Sequence, residues 1–184
     1  FIVQDIGLAC ELRKRTDVPL HASTQLTVHS LDGAVFLRNM GFSRVVLSRE
    51  LSAQDIGFIT RRAQVETEVF VHGALCMSYS GQCALSAVIG GRSGNRGSCA
   101  QPCRLPYEGG YRLSLKDLCL LKYVGQLQQM GVHCLKIEGR MKGPDYVGAV
   151  CRAYAEAKNG KPYAEEDEQF LSEIFSRDGF TDKY

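Results

Sequence analysis

The protein has 184 residues, of which 45% are hydrophobic and 23% charged, and its formal net charge is +2. This composition is typical of a soluble globular domain and argues against a disordered or fibrous chain, and the chain is long enough to bury a core without disulfides or a structural metal. No apolar run reaches the length of a membrane helix, so we predict no membrane segment.

Short β-branched runs alternate with helix-like stretches along the chain. The six predicted strands are, in order, "FIVQDIG", "PLHASTQLT", "SRVVLSREL", "VETEVFVHG", "YRLSLKDL" and "VHCLKIEG". Helical patterns separate most of these strands, and a last helix is predicted in "GPDYVGAVCRAYAEAKNG". Strand–helix alternation with short links predicts parallel strands joined by crossover helices.

The distance between successive strands, roughly 20–25 residues, suits the repeating unit of a TIM-type barrel, which has eight strands in about 250 residues. We therefore predict an α/β fold in which residues 1–160 form an incomplete parallel (β/α) barrel with about six of the eight strands. An open doubly wound sheet is the alternative. Residues 74–107 form a Cys-rich insertion, and residues 161–184 form an acidic helix and tail. Because the chain begins at Phe1 and not at Met, we interpret it as a piece of a longer protein.

Ligand chemistry in parallel barrels lies at the carboxyl ends of the strands. The polar residues at the predicted ends are Asp5, Ser23, Gln25, Ser48, Glu50, His72, Lys116, Asp117, Glu138 and Arg140. We predict catalytic roles for His72, Glu138 and Arg140, although a histidine at a strand end is most often a hydrogen-bonded structural residue. The predicted substrate-binding residues are Gln25, Glu50, Arg92, Arg96, Arg104, Lys116 and Lys136.

Four of the eight cysteines lie within 28 residues of the predicted insertion. Six residues separate Cys76 from Cys83, fifteen separate Cys83 from Cys99, and three separate Cys99 from Cys103. Disulfides suit a smaller secreted domain, and a zinc site usually shows paired cysteines two to four residues apart, as only Cys99 and Cys103 are. An iron–sulfur cluster also takes four thiolates, with variable spacing. Buried apolar cysteines are the remaining alternative, which the glycine-rich segment disfavours.

Positive charge is concentrated around the cysteines. Residues 91–143 contain 9 Lys and Arg against 3 Asp and Glu, whereas residues 1–90 contain 8 of each kind and residues 144–184 contain 5 against 9. Such a local excess suits an anionic ligand or nucleic acid, or equally a solvated face. Cys119, which directly follows a predicted strand end, is an alternative fourth metal ligand to Cys103.

Several segments together resemble the collagenase-like peptidases of family U32. These segments are "FVHGALCMSYSGQCALS", "NRGSCAQPCRLPY", "SLKDL" and "KIEGRMK". The resemblance runs over nearly the whole chain, and "NRGSCAQPCRLPY" is most similar to the branch of the family that hydroxylates cytidine in ribosomal RNA.

The resemblance implies two different activities. Some members are named as peptidases, without agreed catalytic residues. Others act in oxygen-independent hydroxylation of a pyrimidine in ribosomal or transfer RNA, with prephenate implicated as a co-substrate, and several hold a four-iron cluster on cysteines. Carried over to this sequence, a 4Fe–4S cluster falls on Cys76, Cys83, Cys99 and Cys103. We therefore expect a cytoplasmic RNA hydroxylase, with a peptidase or an RNA-binding module with structural zinc as alternatives.

Overall fold

The computed structural model describes residues 1–80, 82–140 and 142–183. Within these ranges the strands are β1 (Ile2–Val3), β2 (His21–Ala22), β3 (Arg44–Val46), β4 (Glu66–Ala74), β5 (Asp117–Cys119), β6 (Cys134–Ile137) and β7 (Phe180–Thr181). The helices are α1 (Ile6–Arg15), α2 (Leu31–Asn39), α3 (Ala53–Arg62), α4 (Leu85–Gly90), α5 (Val124–Gln129), α6 (Pro144–Lys158) and α7 (Glu165–Ile174). In these same ranges, no helix combines the length and apolarity needed to cross a membrane.

Short polar side chains start the first three helices. The Asp5 carboxylate accepts a hydrogen bond from the Leu8 N–H at the start of α1, and the Ser30 hydroxyl accepts one from the Gly33 N–H in α2. At α3, the Ser52 hydroxyl accepts from the Asp55 N–H at 3.1 Å and donates to the Asp55 carboxylate at 2.6 Å. These caps pair N–H groups that would otherwise lack partners in the first helical turn. Asp5, one of the polar residues at the predicted strand ends, therefore serves as a helix cap.

The sheet is mostly parallel, which confirms the predicted α/β class. Strands β1 to β4 are parallel neighbours in chain order, and β6 pairs parallel with β4. The prediction that every strand is parallel was wrong for β5, which runs antiparallel to β4. The chain between β4 and β5 returns without a long crossover helix, and a parallel pairing would require such a crossover. Lys116 and Asp117 consequently stand at the beginning of β5 and not at its carboxyl end.

The two faces of the sheet differ in character. Val3, Ala22 and Val45 occupy paired positions on β1, β2 and β3 and belong to the main apolar core, together with buried residues of the helices. Successive strand residues point to opposite faces, and Val46 and Phe70 belong to a second, smaller apolar cluster. The helices therefore contribute to the main core on one face of the sheet, and a smaller, partly charged cluster lies on the opposite face.

The acidic carboxyl-terminal segment packs into the same core as the sheet. Strand β7 pairs parallel with β5, and Leu171 of α7 is buried in the main core. The Arg177 guanidinium donates to the buried Asp117 carboxylate at 2.7 Å, and the rings of Phe180 and His72 lie 5.1 Å apart. This segment therefore holds the start of β5 in place.

Candidate functional site

A 42-residue loop, residues 75–116, joins β4 to β5 and carries the four clustered cysteines; we call it the cysteine loop. Its two ends meet, because Ala74 pairs directly with Asp117. Gly73 has φ +102, and a Cβ at this position would collide with the Glu138 carbonyl oxygen. The chain therefore requires glycine where the ends of β4 and β6 approach each other at the base of the loop.

Arg104 fastens the base of the cysteine loop. Its guanidinium donates to the carbonyl oxygens of Leu75 and Leu115, and to the Ser114 hydroxyl at 3.1 Å. These three acceptors lie near the beginning and the end of the loop. The sequence predicts that Arg104 binds substrate, and the structure shows three of its hydrogen bonds going to the protein itself. Its role is to join the two ends of the loop.

The four clustered thiols share one electrostatic neighbourhood. Burial raises the pKa of the Cys103 thiol, Arg104 lowers it, and Cys76, Cys99 and Cys83 each raise it. Cys103 thus lies close enough to each of the other three for their charges to interact. Cys99 is exposed, and its sulfur accepts a hydrogen bond from the Gln101 N–H at 3.3 Å. None of the eight cysteines, all of which the structure describes, forms a disulfide.

Four cysteine thiols are the kind and number of ligands that an iron–sulfur cluster takes. Among the described residues, no three His, Cys, Asp or Glu side chains are grouped closely enough to hold a single metal ion. A zinc site needs such convergence, because all four ligands bind one ion. In a cluster with several irons the cysteines bind different iron atoms, so they need only surround the group. In the part of the chain that the structure describes, the four thiols therefore do not form a closed site for a single metal ion.

Cys119, the alternative fourth ligand, lies elsewhere. It is buried in the main core on β5, with its sulfur 3.8 Å from the Tyr154 hydroxyl. Burial raises the pKa of this thiol to about 11, and the charged side chains that act on it are Glu168 and Lys122. The structure thus groups Cys103, and not Cys119, with the other cysteines of the loop.

Three of the predicted basic residues lie on the cysteine loop or against its surface. Arg92 donates to the Ser98 carbonyl oxygen, and Arg140 donates to the Gly97 carbonyl oxygen, each at 2.9 Å, while Arg96 is exposed on the same segment. Gln25, beyond the end of β2, donates to the Asn95 side chain at 3.1 Å. Gln25 and Arg140 thus help to fix the segment that precedes Cys99, and the exposed guanidinium groups provide positive charge beside the thiols.

His72 is buried where we predicted a catalytic residue. Only 1% of it is exposed, and its ring lies among the rings of Tyr146, Tyr154 and Phe180. Burial lowers the pKa of His72 to about 4, so its imidazole is neutral at physiological pH. Its Nδ1 atom lies 3.4 Å from the Tyr154 hydroxyl. His72 is therefore a buried residue of the core, and its Nε2 atom has no hydrogen-bond partner among the described residues.

Glu138 and Lys136, both of the predicted "KIEGRMK" site, have partners within the protein. One Glu138 oxygen lies 3.7 Å from the Arg49 guanidinium, and the other accepts from the Arg140 N–H at 3.1 Å. Lys136 donates to the Glu68 carboxylate at 2.7 Å on the smaller face of the sheet. We predicted that Lys136 binds substrate, but it neutralises a buried carboxylate instead. Glu138 remains one-third exposed at the strand ends.

Glu50 lines a cavity of about 380 Å³ together with Met77, Ser78 and Tyr79. Its Oε1 atom accepts hydrogen bonds from the N–H of Ser80 at 2.9 Å and from the Ser80 hydroxyl at 3.4 Å. The cavity walls directly follow Cys76 in the chain. The sequence alone did not identify Met77 or Tyr79 as site residues. Both are large apolar or aromatic residues in the Cys-rich segment, and only the structure shows that they are exposed.

This chain matches one protein-family model and several curated proteins. The model of the family described as "Peptidase family U32" matches residues 1–184. The 23S rRNA 5-hydroxycytidine C2501 synthase of Escherichia coli is 41% identical over 167 residues, which cover 83% of this chain and 25% of that protein. The tRNA hydroxylation protein P1 of Bacillus subtilis is 35% identical over 86% of this chain and 41% of its own length.

A relative named for another activity is similarly close. The protein named collagenase of Porphyromonas gingivalis is 38% identical over 200 residues, which cover 91% of this chain and 47% of that protein. The chain thus spans between a quarter and about half of the length of these relatives. The family match covers the whole chain and includes the cysteine loop, so the chain belongs to peptidase family U32.

Proposed function

We propose that this chain forms the cysteine-bearing part of an enzyme that hydroxylates a pyrimidine base in ribosomal or transfer RNA. The observation that carries the proposal is the grouping of Cys76, Cys83, Cys99 and Cys103 on one loop beside exposed arginines. Relatives named for hydroxylation of 23S rRNA and of tRNA support the same reaction. We place the reaction in the cytoplasm, where both RNA classes are found.

In this proposal the four thiols hold a 4Fe–4S cluster, which supplies redox chemistry when bound. The Gln101 N–H that donates to Cys99 would stabilise negative charge on a cluster thiolate. Arg104 keeps the two ends of the loop together and adds positive charge next to Cys103. In this proposal these groups orient the ligands.

The exposed Arg92 and Arg96 would bind the RNA phosphates, as would Lys116. Such contacts position a nucleic acid and make its affinity sensitive to salt, but they carry no sequence information. The basic surface lies on the segment that carries Cys99, so a bound strand would pass beside the thiols. An anionic co-substrate such as prephenate would be attracted to the same charges.

Hydroxylation replaces a ring C–H bond with a C–OH bond and removes two electrons from the base. The balance requires a hydroxyl donor that is reduced by two electrons, from R–OH to R–H, as its hydroxyl group passes to the base. A hydroxylated organic acid of the prephenate type is the proposed donor. The chain's own contribution is to hold the base, the donor and the cluster near one another at the strand ends.

The test compares modified nucleosides in RNA from three strains. Ribosomal and transfer RNA from a strain lacking the gene is digested and analysed by mass spectrometry, beside RNA from the wild type and from a strain carrying Cys99→Ser. We expect one hydroxylated pyrimidine to disappear in the deletion strain and to fall strongly in the Cys99→Ser strain. Unchanged nucleosides in both RNA classes would reject the proposal.

A peptidase is the second candidate, supported by the 38% identity to the Porphyromonas gingivalis collagenase. It predicts that the pure protein cleaves gelatin and that a single surface substitution, Glu138→Gln, abolishes cleavage. An RNA-binding module with structural zinc is the third candidate. It predicts one zinc per chain and salt-sensitive RNA binding without any modified base.

A further inference from the structure

The carboxyl ends of β1, β2 and β3 carry an unusual concentration of unpaired polar atoms. Within the described ranges, six buried side-chain nitrogen or oxygen atoms lack a hydrogen-bond partner, and four of them follow these three strands: Gln4 Oε1, Thr24 Oγ1, Ser48 Oγ and Glu50 Oε2. Burying a polar atom without a partner costs about 1–3 kcal/mol. Such atoms at one edge of the sheet are buried groups that a polar ligand would pair after small side-chain rotations.

Glu50 is the charged member of this group, and it lines the cavity beside the cysteine loop. Its Oε1 atom is held by Ser80, whereas no described residue donates to its Oε2 atom. The Ser80 turn has a second, independent anchor, because the Thr27 hydroxyl donates to the Ser80 carbonyl oxygen at 2.9 Å. One oxygen of Glu50 is therefore paired within the fold, whereas the other is buried beside the cavity as an unpaired hydrogen-bond acceptor. The terminal torsion of a glutamate is soft, so a small rotation would present that oxygen to the cavity.

The walls of the cavity suit a flat, partly apolar group. Met77 and Tyr79 line it and are both solvent-exposed, and its volume of about 380 Å³ lies in the usual range for small-ligand pockets. Enzymes that modify a base take it out of the stack into such a pocket, where an aromatic side chain stacks on its face. An exposed Tyr79 beside a carboxylate provides both contacts.

At C4 cytosine offers Glu50 a donor and uracil does not, and the N3–H donor of uracil lies between two carbonyl oxygens that repel a carboxylate. Cytosine carries an exocyclic N4 amine, which donates to carboxylates. Uracil has a carbonyl oxygen at the same position, which a carboxylate oxygen repels. We propose that Glu50 determines specificity by accepting a hydrogen bond from the N4 amine of a cytosine that enters this cavity and stacks on Tyr79. This inference rests on the proposed function and assigns the base that the site accepts.

The test uses a substitution that exchanges an acceptor for a donor. In Glu50→Gln the amide oxygen still accepts from the Ser80 N–H, so the NH₂ group takes the position of Oε2. The probes are two single-stranded RNA 10-mers that differ only in a central cytidine or uridine, and their affinities for the full-length protein, purified without oxygen, are measured by fluorescence anisotropy. Glu108→Gln, which alters an exposed carboxylate elsewhere in the loop, is the matched control.

We expect the wild type and Glu108→Gln to prefer the cytidine probe by about 5- to 100-fold, the effect of one well-placed base contact. In Glu50→Gln this preference falls to about one or reverses in favour of uridine. A wild type without preference would overturn the inference, and so would a Glu50→Gln protein that binds both probes more weakly by the same factor, since that result indicates a structural role. RNA nucleosides from a strain carrying Glu50→Gln separate the two proposals. If the hydroxylated base is lost on deletion of the gene but kept in Glu50→Gln, the enzyme assignment stands and the role of Glu50 is rejected.

Discussion

The burial of His72 predicts a specific loss of stability in acid. Its pKa is lowered by burial from the ordinary 6.5 to about 4, so the unfolded chain binds a proton more readily than the folded protein does. The stabilisation is therefore complete above pH 6.5 and is lost as the pH falls from 6.5 towards 4. A pKa shift of this size lowers the free energy of unfolding by about 2 kcal/mol at pH 5 and by about 3 kcal/mol at pH 4, relative to pH 7. The nearest ionisable groups, the phenols of Tyr146 and Tyr154, have raised pKa values and stay neutral throughout this range.

The assay is urea unfolding of the protein at pH 7, 5 and 4, with His72→Phe as the comparison. Phenylalanine keeps an aromatic ring among its neighbours and cannot take up a proton, and carboxylates that lose stability in acid contribute equally to both proteins. We expect the free energy of unfolding to fall by about 3 kcal/mol more in the wild type than in His72→Phe between pH 7 and 4. His29→Gln, which alters an exposed histidine, should behave as the wild type does. Equal acid sensitivity of the wild type and His72→Phe would refute the reasoning.

Three further predictions concern the cysteine loop and the sheet beneath it. Anaerobic reconstitution with iron and sulfide should load about four irons per chain in the wild type and in Cys151→Ser, and clearly fewer in Cys99→Ser; equal iron in all three would exclude Cys99 as a ligand. Gly73→Ala should lower the free energy of unfolding by more than about 2 kcal/mol, because the added methyl group meets a carbonyl oxygen and the backbone is left-handed there, whereas Gly125→Ala, in a helix with open space around it, should raise it by up to about 1 kcal/mol. Lys136→Met should destabilise the protein by about 2 kcal/mol in urea unfolding, since it leaves a buried carboxylate of β4 with a single cation; a change below about 0.5 kcal/mol would show that the ion pair is dispensable.

Local patterns in the sequence predicted β1 to β4 and β6, but they missed β7, and the strand predicted at 111–118 overlaps β5 only at its end. The alternation of short β-branched runs with helical stretches is a local property, and it is seen in the structure. The direction of β5 is not a local property. It depends on how the 42-residue cysteine loop returns to the sheet, and a glycine-rich segment contains no periodic pattern from which that path follows.

The positions of individual side chains were harder to predict. Alternation places Phe70 and His72 on the same face of β4, but the pairing of β4 with β6 shifts register between these two residues. His72 consequently packs with Tyr154 in the main core, while Phe70 lies in the smaller cluster. Arg104 and Lys136 were assigned to substrate because of their charge. The sequence does not reveal that Arg104 reaches backbone carbonyl oxygens. Nor does it reveal that Lys136 reaches the Glu68 carboxylate.

The pairing of Ala74 with Asp117 has a consequence for how the protein tolerates change. The two ends of the cysteine loop lie side by side on the sheet. Residues between these ends can therefore be inserted, removed or disordered without moving any strand. Loop length adds little to the free energy of closing such a loop. If the four thiols hold the proposed cluster, its loss to air should unfold the loop and leave the sheet folded. Hydrogen exchange on air-exposed protein should then show rapid exchange between the two ends of the loop and slow exchange in the sheet.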